Sequence, residues 1–146
     1  MAALPRLETD EQEVLEANRA FYAALQTLDL EKMEDVWLHE DWVACLHPGW
    51  ELLVGWEEIR GSWADIFRST LRMLVAIGRT LVRVHGDTAW VCCLENVTST
   101  YEGGFSTALV EVTNLFIRHD GRWRMVHHHT TPLSSGTPEG TSSAVQ

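Results

Sequence analysis

Residues Val14, Asn18, Phe21, Tyr22, Leu25 and Leu28 recur at three- and four-residue steps, the period of a helix that buries one face. Thr9 followed by Gln12 has capping-box spacing, in which side chains satisfy the free N–H groups of a first turn, so this helix is expected to start there. Two polar residues, Asn18 and Tyr22, sit within its apolar face. Asp29 is placed to cap a short second helix on which Met33, Val36 and Trp37 repeat at helical spacing. Val43 to Leu46 reads as a short strand ended by His47-Pro48-Gly49. A third helix is predicted from Trp56 to about Phe67, with Ile59, Trp63 and Ile66 on its apolar face and Glu57, Glu58, Arg60 and Asp65 toward water.

The pattern then changes to β-branched and aromatic residues broken at Gly86, Gly103-Gly104 and Asp120-Gly121, which predicts strands near 72–85, 88–102, 105–118 and 122–131. Helices gathered before consecutive strands joined by short turns give an α+β domain with an antiparallel meander, not alternating βαβ units. Residues 1–8 read as a tail, 9–133 as one domain, and 134–146, rich in Ser, Gly and Thr, as a disordered C-terminal tail.

Composition narrows the partners. Twenty-one acidic against 11 basic residues give a net charge of −10, so a phosphate backbone or an anionic membrane would be repelled: no nucleic acid and no membrane are expected. No apolar run approaches the ~20 residues of a membrane span, and the start lacks the pattern of a signal peptide, so a cytoplasmic location is expected. Cys45, Cys92 and Cys93 are odd in number, and the last two point to opposite faces of a strand, which favours buried free thiols over a disulfide.

Four segments carry a family resemblance: HEDWVACLHPG, GWEEIRGSW, GDTAWV and DGRWRMVHHHTTP. They resemble the SnoaL-like and ketosteroid-isomerase-like proteins of the nuclear transport factor 2-like superfamily, over about Thr9 to Leu133. The resemblance implies a cone: a curved antiparallel sheet wrapped around the N-terminal helices, in the manner of a cystatin-like roll, enclosing a funnel. It implies catalysis with no metal and no cofactor. It does not transfer a reaction, because one fold hosts many chemistries.

On that resemblance His47, just before Pro48, stands where isomerase relatives carry a general-base aspartate; its alternative role is a hydrogen bond to the turn backbone. Tyr22 matches an oxyanion-stabilising tyrosine, and Asn18, four residues earlier, shares its face. The alternative for Tyr22 is a core position with its hydroxyl tied off. Asn114 falls near a second oxyanion donor, with a one-residue slip sending it to the other face.

Strict alternation in the last strand puts Trp123, Met125, His127, His129 and Thr131 on one face and His128 on the other. SnoaL-like relatives carry a similar His-x-His pattern facing the pocket, so His127 and His129 are expected to bind a ligand oxygen or shuttle a proton, the less favoured alternative being a metal held with a third ligand such as His47 or Glu95. Glu95 interrupts the apolar run Ala89 to Val97 and either orients a histidine or faces solvent. Of the seven tryptophans, Trp50 and Trp63 are candidates to line the pocket, the bland alternative being core or interface packing.

The function expected is binding of a small hydrophobic, oxygenated ligand, with acid/base catalysis of the isomerase, cyclase or dehydratase type. The competing reading is a non-catalytic ligand-binding, dimerisation or accessory domain. A homodimer is expected through an exposed sheet face bearing Val82, Val84, Leu109 and Leu115.

Overall fold

The structure, a computed structural model, describes residues 3–134. Three helices, α1 (Ala3–Thr27), α2 (Leu30–Val36) and α3 (Trp56–Ser69), accompany β1 (Ala44–Leu46), β2 (Leu53–Val54), β3 (Arg72–His85), β4 (Thr88–Tyr101), β5 (Gly104–His119) and β6 (Arg122–Ser134). The strands form one curved sheet in the order β2-β1-β6-β5-β4-β3. Neighbours are antiparallel except β1 and β6, which run parallel with Ala44 opposite His127 and Leu46 opposite His129.

The apolar face read from the sequence is the face α1 buries: Val14, Asn18, Phe21, Tyr22 and Leu25 are all buried. Helix α1 begins at Ala3 and not at Thr9, so part of the segment read as a tail is helix, and Thr9 lies inside it. Asp29 caps α2 as expected, its carboxylate accepting from the Lys32 backbone N–H at 3.1 Å. An ion pair from Arg118 on β5 to Asp10 at 3.0 Å fastens α1 to the sheet, and the same guanidinium lies 4.5 Å from the Trp123 ring. The tail expected beyond residue 134 lies outside the described residues.

Packing between α1, α3 and the inner face of the sheet makes the core. Phe21, Trp37, Ile59, Val91, Val110, Phe116 and Met125 are completely buried there. The cysteines are free thiols, with Cys45 and Cys93 buried and Cys92 toward the other face.

Alternation fails in two strands: β3 carries a bulge between Gly78 and Leu81, which moves its inward phase from Met73, Val75 and Ile77 to Val82 and Val84, and β6 carries another. On β6, Trp123 and Met125 point inward, as predicted, but so do Val126, His128 and Thr130. The cause is a β-bulge: Phe116 pairs with Met125 and Leu115 with His127, so Val126 is an extra residue that resets the phase. His128 is therefore inside, while His127 is half-buried and His129 exposed, the reverse of the sequence expectation. The face assigned to Val82 and Val84 also needs correction. Val82 pairs with the buried Val91, and both valines pack against the core.

Candidate functional site

A cavity of about 410 Å³ lies between α1, α3 and the sheet. Leu25, Trp63, Ile66, Met73, Val97, Ala108 and Val110 give it apolar walls. Its polar groups are His47 and Trp50 from the turn after β1, Glu95 and Ser99 from β4, Ser106 from β5 and His128 from β6. Pro48 ends β1 beside them, and the T-shaped contacts of the His47 ring with Trp50 (4.7 Å) and Trp63 (4.5 Å) hold the imidazole in an aromatic cradle.

Behind the wall runs a directed chain of hydrogen bonds. His128 Nδ1 lies 2.6 Å from Asn114 Oδ1, and Asn114 Nδ2 donates to Asn18 Oδ1 at 2.8 Å and to the Tyr22 hydroxyl at 3.3 Å. Tyr22 in turn donates to Glu95 Oε2 at 2.5 Å. An amide carbonyl only accepts, so His128 carries its proton on Nδ1. His47 is fixed by the same logic. The Ser62 hydroxyl gives its one proton to Ile59 O at 2.7 Å, so at 2.8 Å it accepts from His47 Nε2.

Burial dominates the protonation of these groups. It pushes His47 down to about 4 and lowers His128 well below the ordinary imidazole value, a shift that the neighbouring His47 reinforces. Both rings are neutral at pH 7. Burial raises Glu95 to about 7, with the Tyr22 hydrogen bond pulling the other way. Tyr22 is driven far above its usual value by burial and then by the charge of Glu95, so its phenol stays protonated. Burial also raises Cys93 to about 11 and Cys45 higher still, which leaves both thiols without nucleophilic character at neutral pH.

The structure thus gathers His47, Trp50, Trp63 and Glu95 on the cavity, and Asn18, Tyr22 and Asn114 directly behind it. His127 and His129 are not gathered there; their rings stack on each other at 5.5 Å on the opposite face of the sheet. His128 and Ser62 are the residues that sequence reasoning missed. The signal for His128 was Met125-Val126, two consecutive inward residues that break an alternating strand. Glu95 is buried and does not face solvent, but its carboxylate accepts from Tyr22 and not from a histidine.

A larger hollow of about 560 Å³ lies between α1 and β3, lined by Leu15, Arg19, Gln26, Val75, Ile77 and Val82, with Asn18 and Tyr22 on its wall. Size favours neither, since an open hollow of about 790 Å³ around His39, Trp56 and Arg60 exceeds both; the buried acid/base groups face the inner cavity, and chemistry decides in its favour. Among the described residues no group of three or more His, Cys, Asp or Glu side chains is placed to hold a metal ion.

The helices packed inside a curved sheet, with a polar-bottomed cavity between them, define the nuclear transport factor 2-like class of α+β proteins. Within it the chain belongs to the SnoaL-like domain family, whose pattern matches residues 14–134. Its structure is similar to that of a proposed dehydratase of the NTF2-like family from Streptomyces avermitilis, at 35% identity and a TM-score of 0.82 over 87% of this chain and 98% of that one. A proposed calcium/calmodulin-dependent protein kinase type II association domain from Thiobacillus denitrificans matches at 31% identity and a TM-score of 0.68, over 81% of this chain and 93% of the other. The F-box protein SKIP8 of Arabidopsis thaliana is 30% identical over 120 residues, 82% of this chain but 49% of its own length. The chain therefore spans about half of that curated relative.

Proposed function

We propose that the cavity binds a small, hydrophobic, oxygenated molecule and moves a proton on it without a metal, as an isomerase, cyclase or dehydratase does. The observation that carries this reading is the meeting of two neutral imidazoles, His47 and His128, with the near-neutral carboxyl of Glu95 in one apolar cavity. A neutral imidazole accepts a proton from carbon or oxygen. Protonated Glu95 supplies the answering donor. Tyr22 and Asn114 stabilise charge indirectly, because their donors are spent on Glu95 and Asn18. The Streptomyces relative, named as a proposed dehydratase, supports the same class of chemistry.

The likeness to an association domain favours a second reading, in which the domain binds a ligand or dimerises without catalysis. A ligand found by thermal-shift screening and then incubated with the protein in D₂O separates the two. Enzyme-dependent deuterium incorporation that Glu95→Gln and His47→Gln abolish supports catalysis. Tight binding with no exchange above the buffer rate supports the accessory reading.

A further inference from the structure

The hydrogen-bond chain does more than hold side chains in place, because it fixes which way each polar group faces the cavity. His128 spends its Nδ1 proton on Asn114, and Nε2 has no protein partner among the described residues. His47 spends its Nε2 proton on Ser62, which leaves Nδ1 as a lone pair with only the weak Cys45 thiol near it, at 3.9 Å. The two rings stand 6.4 Å apart, centre to centre, on one wall. Glu95 Oε2 is taken by Tyr22. The deep end of the cavity therefore presents two imidazole acceptors beside the single donor that protonated Glu95 offers. The Ser99–Ser106 pair across β4 and β5 turns either way, and the buried Trp63 indole N–H has no partner among the described residues.

We infer that this cavity selects a neutral, flat ring compound that brings its own hydroxyl or N–H donor to His47 and His128, and that it rejects both carboxylates and rings lacking a donor. The inference rests on the reading of the cavity as the ligand site. An acceptor left unmatched by a ligand loses its hydrogen bond to water and gains nothing, which is the strongest basis for discrimination that a small polar site has. An anion meets no cation here, since both imidazoles are neutral and no Lys or Arg lines the cavity. The aromatic cradle of His47, Trp50 and Trp63 and a volume of about 410 Å³ suit one or two fused rings.

Two measurements on the intact protein test the polarity and the site separately. Long-range ¹H–¹⁵N spectra of the free protein near neutral pH report each imidazole tautomer: His128 is expected protonated on Nδ1 and His47 on Nε2. His128 protonated on Nε2 would mean that the chain runs in the opposite direction, and would overturn the inference while leaving the cavity reading intact. Calorimetric titration with 2-naphthol, 2-fluoronaphthalene and 2-naphthoate then tests selection. 2-Naphthol is expected to bind about tenfold more tightly than its fluoro isostere, the worth of one hydrogen bond, and the carboxylate more weakly than either. Equal binding of the naphthol and fluoro compounds, or preference for the carboxylate, overturns the donor rule. Failure of all three to bind, with both tautomers as expected, overturns the cavity as the site of such rings.

Discussion

Glu95 and His47 are shifted by burial in opposite directions, and so bend the pH dependence of stability in opposite senses. Glu95 is raised in the fold from 4.5 to about 7, so the native state holds a proton that the unfolded chain has released, and this part of stability falls as pH rises between those values. His47 is lowered from 6.5 to about 4, so the unfolded chain binds the proton that the native state refuses, and stability falls as pH drops through that range. Each shift corresponds to about 3 kcal/mol at full extent. Glu95→Gln removes the first effect alone. We expect it to unfold at a higher temperature than the parent at about pH 8, with the advantage gone by about pH 5. Parallel profiles for the two proteins would show a carboxyl that is ionised throughout. Because the Tyr22 hydroxyl lowers the Glu95 value, Tyr22→Phe is expected to move the Glu95 titration upward, as read by ¹³C carboxyl shifts.

At the scale of elements, the phase of β6 separates what the sequence could say from what it could not. Strand existence and the turns at Gly86 and Gly121 were legible, since local residue chemistry sets them, and α1 showed its buried face through Val14, Phe21 and Leu25. His47, Trp63 and Glu95 were legible as chemistry that has no place in an apolar run unless it is used. The orientation of the His127–His129 stretch was not, because an extra residue at Val126 matters only against the register of β5, a partner distant in sequence. Deleting Val126 is expected to remove the bulge and restore strict alternation while leaving His127 opposite Leu115 and His128 opposite Asn114, so the His128–Asn114 bond should survive, at a cost of about 2 kcal/mol for the lost buried valine measured by denaturant unfolding. Among single histidine variants, His128→Ala is expected to abolish ligand binding, while His129→Ala leaves it near the parent value. The α1 side of the cavity depends on Phe21, which touches Tyr22, Trp63 and His128. Phe21→Ala is expected to destabilise by about 3–5 kcal/mol.

For the whole molecule, the outer face of the sheet carries Trp90, Leu94, Leu109 and Leu115 beside His127 and His129, and the exposed Leu74 and Phe105 add apolar surface. We propose that a second copy covers this face, giving the homodimer. Sedimentation at micromolar concentration is expected to show a species near twice 16.5 kDa, and a species at 16.5 kDa would end the proposal. No helix among the described residues is long and apolar enough to cross a membrane.

Strand β1 is three residues long and lies between two-residue β2 and the long β6, yet His47 follows it directly. Strands β4 and β5, by contrast, pair without interruption from Thr88 to Tyr101. Elements held by few ladder bonds open locally at a small fraction of the global unfolding free energy. One of the two imidazoles thus follows a strand held by few ladder bonds, and the other sits on β6, which pairs with β5 along most of its length. The amides of Ala44, Cys45 and Leu46 should exchange with deuterium well before those of Val91 and Val112, and a bound ligand should slow them selectively.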